Sequence, residues 1–301
     1  MTSHPDLLRR VVTVLRPAAQ PIRPALARLA TGAFTTWNNL RRRRMFHKLH
    51  TQDAATFKPV GPVRVLRRPL PPTIANAIFD VAQATNVLAT LGVAHRVMGP
   101  VNAAFQYWTL SYRNSWGMIF HNDNTALWHQ VILGTCRSAD ALSVDALVRD
   151  KSLSPQRFDR AYGGIPTAMN LATCAVYFIS GIAKIRSPQG WAWARGGTLR
   201  DQIAADAVRK EVFGATPPKA AAELYQASGF FTLAGIATLA IELGAPIALV
   251  NRRVGQGFSV AAWGMHVGIR VIMGIKFPYN TSGVAYVPFF PVDEKLLMEP
   301  S

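Results

Sequence analysis

The sequence predicts an all-α fold, a polytopic bundle of about five to seven spanning or re-entrant transmembrane helices. Half of its 301 residues are hydrophobic and only 16% are charged, whereas about a quarter of the residues in a soluble domain are charged. The apolar residues are collected in blocks at residues 74–91, 101–112, 118–134, 165–182, 230–250 and 258–275. Blocks of about 20 residues can cross a bilayer as helices, while shorter ones fit buried, re-entrant or interfacial segments. We therefore expect an integral membrane protein, located in the plasma membrane.

The net charge is +17, with 33 Lys and Arg against 16 Asp and Glu. Such a basic chain also fits nucleic-acid binding. However, the basic residues cluster beside apolar blocks, at residues 41–44 and at Arg64, Arg67 and Arg68. Cytoplasmic loops of membrane proteins carry this pattern, close to anionic headgroups. The predicted partner is thus membrane lipid and not nucleic acid.

The chain divides by composition into three parts. Residues 1–63 form a basic, Pro- and Arg-rich extension, cytoplasmic or interfacial, in which three prolines at positions 17–24 are expected to interrupt any long helix. An amphipathic segment at the interface and a disordered tail are both open for it. Residues 64–290 form the membrane domain, and residues 291–301 form a solvated tail.

The first apolar block has a polar face. Polar residues recur in it at spacings of three or four, namely Asn76, Asp80, Gln83 and Asn86. This spacing predicts that the helix packs against other helices and does not face lipid all round.

Ionisable residues inside apolar blocks are the candidates for function, since their burial is costly. They are His121, Asp123, Lys184, Glu242, His266 and Arg270. Lys184 either reaches the membrane surface or serves as a desolvated base. Asp123 also fits a helix cap, and Glu242 fits a pair with Arg252, Arg253 or Arg270.

Common catalytic motifs are missing. The sequence contains no GxGxxG, GxxxxGK[ST], HExxH or GxSxG, the usual signatures of dinucleotide binding, ATP hydrolysis, zinc proteolysis and serine hydrolysis. Its two cysteines, Cys136 and Cys174, build neither a disulfide framework nor a zinc site. No metal is expected.

The segment YFISGIAKI, residues 177–185, resembles YFIAGVKKL of the vitamin K-dependent gamma-carboxylase and the wider HTTM membrane-domain family. The family's proposed catalytic lysine falls on Lys184. Upstream, RRPLPP and LGVAHR resemble RPLPLDW and LGLCYR of the family. Further segments fall into register at Tyr107-Trp108 (YW), His121 (NNHSYL), residues 143–147 (SVDGL), Glu242 (LDLSAGFLLF) and His266 (YFHCMN). The resemblance covers residues 64–290.

The resemblance implies an all-helical membrane enzyme that uses a reduced naphthoquinone, vitamin K hydroquinone or menaquinol. With O2 as co-substrate, such an enzyme forms the quinone epoxide and a strong base that abstracts a proton. In the carboxylase, the resulting carbanion captures CO2, so a peptide or protein acceptor is implied but not identified. Carried over, Lys184 is the catalytic base that deprotonates the hydroquinone, and His121 assists at the quinone or carbon dioxide site. The quinone cavity is assigned to His266, Glu242, Tyr177, Trp108, Asp123 and Arg270.

Two other functions are open. The first is a non-catalytic quinone- or lipid-binding membrane protein on the same scaffold, in which Lys184 and the histidines only stabilise packing. The second is a small transporter, which requires Glu242, His266 and Arg270 to line a path through the membrane.

Overall fold

The computed structural model describes residues 12–117 and 121–292, with the side chain of residue 121 outside this set. Within these ranges every regular element is a helix, which confirms the all-α prediction. The chain forms two compact units, Met1–Met169 with Pro291–Ser301 and Asn170–Phe290. This division differs from the boundary expected at residue 63.

We number the helices in chain order. The first unit contains α1 (Ile22–His47), α2 (Pro72–Leu91), α3 (His95–Asn114), α4 (His121–Thr135) and α5 (Val144–Asp150), and α6 (Arg160–Ile185) runs from it into the second. The second unit contains α7 (Gly197–Val212), α8 (Lys219–Leu224), α9 (Ser228–Gly244), α10 (Arg252–Met273) and α11 (Pro278–Thr281). Short 3-10 turns lie at Lys48–Thr51, Ala54–Thr56, Gly61–Val65, Gly190–Arg195, Ala245–Leu249 and Val284–Phe289.

Helix α1 forms where the sequence predicted an interrupted extension. Pro21 is its N-cap residue and Pro24 lies in its first turn, where a missing backbone N–H costs nothing. The prolines therefore mark the start of a 26-residue helix. This helix packs against α2 and α4 as part of the first unit.

The polar face of α2 packs against α1, as the spacing of its polar residues predicted. Asn86 Nδ2 donates to the Gly32 carbonyl oxygen at 3.0 Å and to Thr36 Oγ1 at 2.8 Å. At an exposed position of the same face, Arg43 donates to both oxygens of Asp80 at 3.0 and 2.9 Å. The prediction of helix packing is confirmed for this block.

Amide side chains extend these contacts through the interior of the first unit. Gln130 Nε2, from α4, donates to Thr35 Oγ1 at 2.7 Å and to Asn86 Oδ1 at 3.1 Å. Asn102 donates to Gln130 at 3.0 Å, and Gln106 donates to Asn102 at 3.2 Å. The four helices are thus joined by one hydrogen-bonded network, which fixes their register.

Arg28 of α1 is the most deeply buried guanidinium described, with 4% of the residue exposed. It donates to carbonyl oxygens of Ala89, Thr90, Ser138, Ala141 and Leu142. Burial lowers the pKa of Arg28 to about 10, partly offset by Asp145, so it is a cation at neutral pH. Its hydrogen bonds satisfy the last carbonyl groups of α2 and fix the loop after α4, and its charge offsets the partial negative charge at the end of α2.

Two helices are long and apolar enough to cross a membrane among the described residues. These are Arg160–Ile185 and Ser228–Leu249, the latter comprising α9 and the turn after it. Only 28% of the most apolar stretch of each is buried in the protein. The bundle of five to seven spans expected from the apolar blocks is therefore not confirmed, since two of the described helices meet this criterion.

Candidate functional site

Lys184 and Glu242 form an ion pair in the second unit. Lys184 Nζ lies 2.5 Å from Oε1 and 2.7 Å from Oε2 of Glu242. The Glu242 side chain is 3% exposed and that of Lys184 is 23% exposed. Gly181 lets α6 and α9 approach here, since a Cβ at this position would lie 3.0 Å from Glu242 Cβ. The alternative that Glu242 pairs with an arginine is therefore wrong.

The lysine is held from a second side as well. Its Nζ lies 5.6 Å from the centre of the Trp193 ring, a distance at which the ring face attracts a cation. Lys184 is therefore neither a freely snorkelling lysine nor an isolated amine. The Glu242 carboxylate lies within hydrogen-bond distance of its Nζ.

A second set of buried polar groups is built on Tyr177. Its Oη lies 2.6 Å from Tyr286 Oη and 3.2 Å from His266 Nδ1, and it accepts a hydrogen bond from Asn280 Nδ2 at 2.9 Å. His266 Nδ1 also lies 2.8 Å from the Ala262 carbonyl oxygen. Because a carbonyl oxygen can only accept, Nδ1 carries the proton of the neutral ring, which leaves Nε2 as the basic nitrogen.

Tyr177 and Lys184 lie on one face of α6, since residues seven apart are two turns apart. Burial lowers the pKa of His266 to about 4, and the charge of Lys184 also lowers it. Burial raises the pKa of Tyr286 to about 12. Both groups are therefore neutral near pH 7. We name Tyr177, Lys184, Glu242, His266, Asn280 and Tyr286 together the α6 cluster.

The other candidate residues do not join this cluster. Trp108 packs against the apolar core around Phe46 in the first unit. Asp123, also in the first unit, pairs with Arg113 and Arg42. Arg270 is exposed on α10. Trp108 and Asp123 therefore make structural contacts within the first unit, and Arg270 has a surface position in the second.

His121 begins α4 in the first unit, and its side chain lies outside the described residues. The assisting role that the resemblance gives to His121 stays a prediction.

Two members of the α6 cluster were not predicted from the sequence. Asn280 and Tyr286 are fully or almost fully buried, in a segment that reads as a short apolar piece broken by Pro278. A buried asparagine and tyrosine in an apolar segment are the only signal that could have indicated them.

The cluster contains one carboxylate and one histidine. Among the described residues, no group of three or more His, Cys, Asp or Glu side chains is placed to hold a metal ion. No family model, curated protein or solved structure matches the chain. The α6 cluster therefore has to be interpreted from its own chemistry.

Proposed function

We propose that this chain is an integral membrane protein of the HTTM and gamma-carboxylase-like class that converts a reduced naphthoquinone to its epoxide. One observation carries the proposal. Four residues to which the resemblance gives site roles, Tyr177, Lys184, Glu242 and His266, come from three helices and form two polar contacts, Tyr177 with His266 and Lys184 with Glu242, two turns apart on one face of α6.

The exposed apolar faces of two helices support a membrane location. Leu171 and Ile179 on α6, and Leu233 and Ile236 on α9, are exposed. A core helix of a soluble protein buries such side chains, whereas a spanning helix presents them to lipid. A bundle with further, less apolar spans in the plasma membrane is the finer form of this proposal.

The side chains in and around the cluster are of the kinds that bind a hydroquinone. Phe258 lies edge-on to Tyr177, with ring centroids 5.4 Å apart, and Phe277 lies edge-on to His266 at 5.1 Å. Aromatic rings of this kind can pack against a bicyclic ring, and neutral tyrosine and histidine groups can bind its oxygen atoms. In the reaction the hydroquinone gives up two protons and four electrons, two on becoming the quinone and two on taking up the epoxide oxygen, so that it and one O2 give the epoxide and one water.

The Lys184–Glu242 pair provides the base in this proposal. In this proposal the Glu242 carboxylate, 2.5–2.7 Å from Lys184 Nζ, takes the ammonium proton and leaves the amine that acts as the base. That amine can accept the hydroxyl proton of the hydroquinone. Glu242 thus controls when Lys184 can act as a base. His266, whose Nε2 is basic, can take part in holding the second hydroxyl group.

The same ion pair also favours a second function. A buried lysine with a carboxylate partner can be purely structural, as in a non-catalytic quinone- or lipid-binding protein. The transporter is less well supported, because it needs Arg270 to line a path with Glu242 and His266, and Arg270 is exposed while the other two are buried.

Turnover of menaquinol by the purified protein in detergent tests the proposal. The hydroquinone is added without oxygen, air is admitted, and the epoxide is measured by mass spectrometry. We expect epoxide from the wild type, its loss in Lys184→Ala, and its retention in Lys276→Ala, an exposed lysine of the same unit. If the wild type binds quinone but forms no epoxide, the binding protein is the correct assignment. An absence of quinone binding removes the enzyme and the quinone-binding protein and leaves the lipid-binding one.

A further inference from the structure

A cleft of about 70 Å³, lined by both apolar and polar side chains, lies among α1, α2, α3 and α4 of the first unit. It is lined by two arginines, one aspartate and several amides, among them Arg42, Arg113, Asp123, Asn38 and Asn39. None of these residues belongs to the α6 cluster. A cleft this rich in charged groups inside a helical unit requires an explanation of its own.

The cleft has an excess of positive charge. Asp123 forms an ion pair with Arg113 and accepts from Asn122 Nδ2 at 3.0 Å, while its distance to Arg42 is 3.7 Å. The Asp123 side chain is only 8% exposed. Two guanidinium groups thus share one carboxylate. Burial lowers the pKa of Arg42, the charge of Asp123 raises it, and the charges of Arg113 and Arg41 lower it. The positive charge of Arg42 is therefore not fully neutralised by Asp123.

Some described side chains that line the cleft also have hydrogen-bond donors with no acceptor in the protein. Arg42 and Asn38 lie one turn apart on α1 and both line the cleft. Within the described part of the chain, neither side chain donates a hydrogen bond, and the nearest carboxylate oxygen to Arg42 is the one at 3.7 Å. A guanidinium carries five N–H donors in a fork that matches an oxyanion. An anion in the cleft would take up both the charge and the donors.

We propose that this cleft binds a phosphate group through Arg42 and Asn38, with Arg113 completing the positive field. A cleft of about 70 Å³ has room for a tetrahedral oxyanion. A guanidinium binds phosphate oxygens in pairs, which makes arginine the usual residue for this ligand.

The phosphate group can come from inorganic phosphate or from a lipid headgroup. Trp37, Leu40 and Met45 expose apolar side chains on the same helix, so the cleft adjoins a surface on which acyl chains can pack. The proposal does not depend on the quinone chemistry, since it uses neither Lys184 nor any other residue of the α6 cluster.

Binding to the full-length protein in a zwitterionic detergent provides the test. One arm titrates inorganic phosphate, and the other compares phosphatidylglycerol with phosphatidylcholine, with the melting temperature and a binding isotherm as readouts. Arg42→Gln should weaken binding about tenfold, which is about 1.4 kcal/mol. Arg44→Gln, an exposed neighbour with the same change of charge, should leave binding unchanged.

Two further variants keep the test decisive if Arg42→Gln folds poorly. Asn38→Leu removes a donor without changing charge and should also weaken binding, while Asp123→Asn removes the internal competitor and should strengthen it. Saturable binding in both arms supports a general phosphate site, and binding in one arm alone supports the proposal and identifies the source. No binding in either arm, or an equal loss in Arg44→Gln, overturns it.

Discussion

Replacing Arg28 by methionine should strongly destabilise the first unit. The guanidinium donates to five carbonyl oxygens while almost fully buried. Methionine fills similar space but donates nothing, so five carbonyl groups at the end of α2 and in the loop after α4 lose a donor. Each hydrogen bond from a charged donor contributes about 1.5–3 kcal/mol.

The summed contribution of these five hydrogen bonds is reduced by the cost of burying the guanidinium, which is several kcal/mol. The expected net loss in the free energy of unfolding is therefore about 4 kcal/mol, typical of breaking a buried charged network. For a unit of this size, that loss corresponds to a fall of about 10 °C in the melting temperature.

Thermal unfolding in detergent, followed by circular dichroism, measures this loss. Arg44→Met is the matched control, because Arg44 is exposed on the same helix. Arg28→Lys should fall between the two, since lysine keeps the charge but has fewer donors. If Arg28→Met unfolds within about 2 °C of the control, the carbonyl cage does not stabilise the fold.

Three further predictions concern other parts of the structure. Burial, together with the charge of Arg28, lowers the pKa of His95 from 6.5 to about 4. The contribution of the neutral His95 side chain to the free energy of unfolding is therefore fully present above pH 6.5 and is lost as the pH falls to 4. The loss is about 3 kcal/mol, and pH-dependent unfolding should show a weaker acid loss in His95→Gln. A Cβ at Gly99 would lie 2.2 Å from a backbone oxygen of α4. Gly99→Ala should therefore destabilise by about 2 kcal/mol in thermal unfolding, whereas Gly268→Ala, which meets nothing within 4 Å, should not. In a double-mutant cycle, Lys184→Met or Glu242→Leu alone should each cost about 3 kcal/mol, and the double variant less than their sum; strict additivity would contradict the ion pair.

The sequence was sufficient for the helical class and for one helix face. Composition predicts the helical class. The spacing of polar residues predicts the helix face, because polar residues spaced by three or four lie on one side of a helix. Asn86 therefore could be assigned to a helix contact before its partners on α1 were known. The number of spans could not be predicted in the same way. Gln130 reads as an interruption in an apolar block, and its function is visible only when the network around it is present.

Contacts between residues far apart in the sequence were the main feature that the sequence did not predict. Lys184 and Glu242 were each recognised as costly in an apolar block, yet their pairing depends on how α6 and α9 approach at Gly181. Arg28 gave no signal, because one more arginine in a basic segment looks like a solvated side chain. Its five carbonyl partners come from two distant segments, the end of α2 and the loop after α4, and no local pattern encodes them.

Oxygenation of a reduced naphthoquinone at the α6 cluster is the central claim. It is tested most directly by supplying menaquinol and oxygen-18-labelled O2 to the purified protein and measuring the mass of the product. We expect an epoxide that carries one labelled oxygen atom, formed by the wild type and by Lys276→Ala but not by Lys184→Ala. An unlabelled product, or equal labelled product from Lys184→Ala, would contradict it.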